Sequence, residues 1–169
     1  MILSSLLFLI IPLIVLLLIG YLVFRAYSRN ADALLDRLLK QTAHMTRVDL
    51  KNIHLTYHIS NGPMMYPSIN NSADIYLFDN FMILARRQNF IVQIDFKPSV
   101  ISKDPIEIQQ FLGLIDIDKI EKVSEAIVKG EFKIHLTALH FNHYKTVVTL
   151  KGLTVEQLQQ LSHIKNWSN

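Results

Sequence analysis

A run of apolar residues without a single charge, ILSSLLFLIIPLIVLLLIGYLVF from Ile2 to Phe24, constrains this chain more than any other feature. A helix of about 20 apolar residues spans the hydrocarbon core of a bilayer. It also satisfies its own backbone groups where no water is present. Pro12 removes one backbone donor, which membrane helices tolerate, and Tyr21 falls at the level of the interfacial aromatic belt. The competing reading is a cleaved signal peptide, which leaves a secreted or periplasmic domain. Three features oppose it. No Lys or Arg precedes the run, the run exceeds the about 7–15 residues of a signal-peptide core, and Arg25-Ala26-Tyr27-Ser28 is a poor cleavage site. Residues 1–24 are therefore expected to form an uncleaved, single-pass anchor whose partner is the lipid bilayer.

Arg25, Arg29, Arg37 and Lys40 follow the run and no basic residue precedes it. Basic residues remain on the cytoplasmic side, so the C-terminal domain is expected to face the cytoplasm. Beyond the anchor, 17 basic and 14 acidic residues balance to a net charge of +3, which is too even for a nucleic-acid surface. The chain has no cysteine, which excludes disulfides, thiolate metal sites and cysteine nucleophiles.

Residues 25–46 read as a juxtamembrane helical stalk. Leu34, Leu35, Leu38 and Leu39 form one stripe, with Asp32, Asp36, Arg37 and Lys40 on other faces. The stripe is too short for a coiled coil. It is expected to lie on the domain that follows.

Residues 47–169 form that domain, and its period is two. Ile53, Leu55, Tyr57 and Ile59 alternate with His54, Thr56 and His58. Ser60 to Ser72 is expected to be a loop broken by Asn61-Gly62-Pro63, Pro67 and Asn70-Asn71. Asp74–Phe78, Phe81–Arg87 and Phe90–Lys97 then read as an antiparallel meander turning at Asp79-Asn80 and Gln88-Asn89. Pro98 to Phe111 reads as a break, Leu112 to Val123 as mostly strand, and Ser124 to Lys129 as ambiguous. A strand pair follows Gly130, turning at Asn142-His143. Thr154 with Gln157 marks a helix start, and Leu158, Leu161, Ile164 and Trp167 give that helix one apolar face.

Six or seven antiparallel strands followed by one amphipathic helix resembles the pleckstrin-homology-like superfold over about residues 47–167. The meander around Asp79-Asn80 and Gln88-Asn89 and the helix from Thr154 carry the likeness. The resemblance implies an antiparallel, partly open β-barrel capped by the C-terminal α-helix, acting by binding lipids or peptides rather than by catalysis. Lipid-binding members hold several basic residues between their first two strands, whereas Ser60–Ser72 has no Lys or Arg.

The candidate contact residues are Arg86 and Arg87, which suit anionic headgroups, and Met64, Met65 and Tyr66, adaptable apolar side chains in a loop. Each has a plainer explanation as a solvated strand end or a loop folded onto the core. An enzymatic alternative assembles Asp116, Asp118 and His135. Seven histidines invite a metal, but His54 and His58 lie too far apart along one strand to chelate together. Phosphate loops and nucleophile elbows are missing. The expectation is a membrane-anchored, non-enzymatic binding or scaffold module, without cofactor or metal, that meets a membrane protein partner or the lipid surface and binds no nucleic acid.

Overall fold

The computed structural model describes residues 2–61, 64–65, 69–87, 97–113, 117–126, 129–138 and 144–168. The chain begins with one uninterrupted helix, α1 (Ile2–Gln41). From Ile10 to Val23 its large apolar side chains are exposed, and over Ile10–Gln41 the helix is long enough, and contains a stretch apolar enough, to cross a membrane. Its second half behaves differently. Leu38 is fully buried, Ala31 is 7% exposed, and Leu34, Leu35 and Leu39 are packed against the domain. The leucine stripe thus covers a local apolar face, as its amphipathic spacing requires.

After a turn at Thr42–Met45, the described residues form eight strands: β1 (Val48–Asn61), β2 (Met64–Met65), β3 (Ile69–Leu77), β4 (Phe81–Arg87), β5 (Ser99–Ser102), β6 (Asp118–Ala126), β7 (Glu131–Ala138) and β8 (Tyr144–Lys151). A short helix, α2 (Pro105–Leu112), links β5 to β6, and α3 (Val155–Leu161) tightens into a 3-10 helix over Ser162–Ser168.

The barrel is closed, which corrects the expectation of a partly open one. Seven strands run β1-β3-β4-β5-β6-β7-β8, and β8 pairs back onto β1 from His54↔Lys151 to Asn61↔Tyr144. β2 is a two-residue tab on the end of β1. Closure follows from the length of β1. Its first part pairs with β3, its last part with β8, and His54–Tyr57 with both. The bend this requires comes at a bulge between Leu50 and Ile53, where Asn52 takes a φ of 56°. Asn tolerates that conformation better than most residues. The extra residue keeps Leu50 and Ile53 both buried although they are three apart rather than two.

The barrel is also not wholly antiparallel. β5 and β6 are parallel, at Ile101↔Asp118 and Ser102↔Lys119. A parallel pair needs a crossover, and α2 lies within it. The stretch Pro98–Phe111 is therefore β5 and most of α2 rather than a break. Asp104 caps α2, accepting from the amides of Ile106 and Glu107, and Pro105 occupies the first helical turn. Gly113 ends it at a φ of 62°. Leu112 closes the helix rather than opening a strand, and β6 extends to Ala126. The Ser60–Ser72 region is mostly sheet: β1 reaches Asn61, β2 holds Met64–Met65 and β3 starts at Ile69. The expected strand Phe90–Lys97 lies outside the described residues except for Lys97, and the turns at Gln88-Asn89 and Asn142-His143 lie wholly outside them.

Two cores lie on the two faces of the barrel wall. Inside, Leu55, Ile75, Met82, Leu84, Phe132, Ile134, Val148 and Leu150 meet Leu158, Leu161, Ile164 and Trp167 from the C-terminal helix. Outside, Tyr76, Phe78, Phe81, Ile83 and Val100 meet Leu38 of α1 and Ile108 and Leu112 of α2. Consecutive residues Phe81–Ala85 are all buried because α1 covers what would otherwise be the wet face of β4.

Candidate interaction surfaces

The elements give the barrel two unlike ends. At one end lie the Asp79-Asn80 turn, Gly130 and the β8–α3 connection. There the amide of Leu153 donates to the carbonyl of Gly130 at 3.0 Å. The Thr154 capping box is complete: Thr154 accepts from the amide of Gln157, and the Gln157 side chain accepts from the amide of Thr154. The helix that follows plugs this end. His163 Nε2 sits 3.4 Å from the carbonyl oxygen of Phe78, and Lys165 pairs with Glu125 at 2.5 Å. The Glu156 carboxyl is held below its ordinary value by a hydrogen bond from its own backbone amide and then by the Thr154 hydroxyl, against a small opposing effect of burial.

At the opposite end β1 finishes, β4 finishes and β8 begins. The register sets Arg86 opposite Ala73 and Arg87 opposite Ser72. Met64 and Met65 pair with Asn61 and Ser60, and Tyr144 and Lys145 face Asn61 and Ser60 from the other side. Four of the five sequence candidates, Arg86, Arg87, Met64 and Met65, thus belong to strand ends on one rim. Tyr66 lies outside the described residues.

A charged cluster sits beside the β1 bulge. Lys51 Nζ donates to the Tyr76 hydroxyl at 2.9 Å and lies 3.7 Å from Asp74 and 3.9 Å from Asp49. Arg47 pairs with Asp49 at 2.6 Å, and the amide of Asn52 donates to Asp74 at 2.9 Å. Each charge has an opposite neighbour and Asp74 satisfies the bulged backbone. The cluster therefore stitches β1 to β3.

The carboxylate–histidine alternative does not assemble among the described residues. Asp118 opens β6 opposite Ala138, whereas His135 stands opposite Lys122, several rungs away. Asp116 lies outside the described residues. Thr137 donates to Glu121 on the same outer face. Among the described residues no three His, Asp or Glu side chains group as metal ligands.

One surface escaped the sequence reading. On α2, Ile106 is 61% exposed and Phe111 46%, and the Phe111 ring meets the edge of His44 at 6.3 Å. The Asp104-Pro105 start and Gly113 stop are a helix signature, but Pro98, Pro105 and mixed charge read more readily as a break. Compared with protein-family models, curated proteins and solved structures, the chain matches none of them.

Proposed function

We propose that this chain is a membrane-tethered, non-enzymatic binding module whose barrel stands on the cytoplasmic face and engages a partner held in the same membrane. The observation that carries the reading is α1. One helix presents exposed apolar side chains from Ile10 to Val23 and then packs Leu38 and the neighbouring leucines into the domain, with Ala31 buried as well. The barrel is thereby held to its anchor by packing as well as by chain connectivity. A domain confined in this way meets other membrane-bound components at high effective concentration.

Arg25, Arg29, Arg37 and Lys40 support the cytoplasmic orientation. The helix inserted into one barrel end supports a pleckstrin-homology-like character. The parallel β5–β6 pair and the α2 crossover depart from that superfold's antiparallel plan. A barrel interior filled by Phe132, Leu161 and Trp167 suits binding at the surface better than chemistry within.

Protease accessibility of the C-terminal domain tests the reading in intact cells, opened cells and detergent, with the apparent mass followed. Protection until the inner membrane is opened, at full mass, is the expected result. Digestion from outside, or loss of the apolar run from the mass, overturns it.

A further inference from the structure

The stripe of α1 that is withdrawn from solvent begins at the end of the apolar run. Ala31, Leu35 and Leu38 are buried or half-buried, and Phe24 and Ser28 are half-buried too. These positions repeat at the three- and four-residue spacing of one helix face. From Phe24 to Thr42 the stripe is about 27 Å long. The three strands beneath it, β3 to β5, span only about 10 Å between their outer axes. Such a stripe fits along the strands and not across them.

The direction follows from connectivity. α1 hands over to β1 at the plugged end, where Val48 pairs with Leu77 beside the Asp79-Asn80 turn. The membrane-proximal part of α1 therefore points toward the end where β1 finishes. β1 has 14 residues, and even at the tilt of about 40° common in barrels it advances more than about 30 Å along the axis. The stalk from Arg25 to Gln41 is only about 25 Å long. The rim at the end of β1 accordingly reaches the level of the headgroups.

Of the two ends, the rim has the basic excess. Arg86 and Arg87 finish β4, exposed Lys97 precedes β5 and exposed Lys145 follows Tyr144 at the start of β8, against Asp118, which opens β6 at the same end. The segment from His58 to Ser72 has no Asp or Glu, and Asp95 is the one acidic residue between Arg86 and Lys97. At the plugged end Asp79, Asp104, Glu131 and Glu156 are balanced by Lys103, Lys129, Lys133 and Lys151. From this geometry we infer that the rim opposite α3 rests on the bilayer that α1 crosses and binds anionic lipid headgroups there. The inference builds on the anchored reading above and names its contact surface and ligand class.

The absence of cysteine allows a single reporter on the full chain. A fluorophore is placed at Ser60→Cys on the rim or Asp79→Cys at the plugged end. Each protein is reconstituted into phosphatidylcholine vesicles, with or without phosphatidylglycerol, that carry a headgroup quencher. Strong quenching at Ser60 and weak quenching at Asp79 is expected. The contrast should rise with anionic lipid and fall with salt, and Arg86→Glu with Arg87→Glu and Lys145→Glu should weaken the lipid preference by about fivefold per charge. Equal quenching at the two sites, or stronger quenching at Asp79, overturns the placement. Contrast indifferent to lipid charge and salt overturns anionic lipid as the ligand and leaves the rim to a protein partner. The Ser60–Asp79 comparison and the salt titration need no charge-reversed protein, so misfolding of that variant cannot rescue the inference. Vesicle insertion tests the anchor separately, and none of these readouts depends on which face of a cell membrane the barrel occupies.

Discussion

A Cβ on Gly130 would stand 2.7 Å from the carbonyl oxygen of Leu153 and 3.2 Å from its amide nitrogen. Gly130 also has a φ of 57°. Steric room and backbone conformation both exclude a side chain where the β6–β7 connection abuts the turn from the last strand into the plug. Gly130→Ala is expected to cost about 2 kcal/mol or more. Gly113→Ala, with a similar φ but only ordinary contact to Arg37 at 3.5 Å, should cost about 1 kcal/mol. Chemical denaturation of the detergent-solubilised protein measures both, and equal losses would refute the part assigned to Leu153.

Leu38 is the stalk residue most deeply set in the outer core. Leu38→Ala removes packing against a rigid wall and should cost about 2–5 kcal/mol. It should also speed tryptic cleavage at Arg37 and Lys40. Leu16→Ala, on the exposed apolar half of α1, should leave domain stability unchanged. Limited proteolysis in detergent compares the two.

The plug is held by its cap and by its apolar face. Thr154→Ala should cost about 1 kcal/mol, because the amide of Gln157 loses its acceptor. Trp167→Ala should cost about 3–5 kcal/mol. Because the Glu156 carboxyl lies below its ordinary value in the folded state, its small contribution is present above the unfolded value and disappears as pH falls through the lowered one. Glu156→Gln should flatten that acid limb. Denaturation midpoints across the acid range read all three.

Lys51 reaches Tyr76 in two ways, through the hydroxyl at 2.9 Å and over the ring at 4.1 Å from the centroid. Tyr76→Phe keeps the ring and should cost about 1 kcal/mol or less. Tyr76→Leu also removes the cation–π contact and should cost more. A larger loss for Phe than for Leu would show that the ring contact contributes nothing.

The sequence by itself determined whatever depends on local periodicity. The charge-free run from Ile2 marks the apolar helix that opens the chain, long and apolar enough to cross a membrane. Leu34, Leu35, Leu38 and Leu39 mark the covered helix face, and Leu158, Leu161, Ile164 and Trp167 mark the plug. Thr154 and Gln157 place its first turn. Even the β1 bulge left a trace, since Leu50 and Ile53 break the two-residue phase at Asn52. Tertiary structure alone decided how these pieces close. Pairing of β1 with both β3 and β8, and of β5 with β6 in parallel, joins segments far apart in the chain, and no local period records such register. The same holds for the rim, where Arg86, Arg87, Met64, Met65 and Lys145 share one end only because the strands carrying them finish or begin there. Whether Asp118 and His135 come together was likewise not legible in the sequence; the β6–β7 register sets them on different rungs.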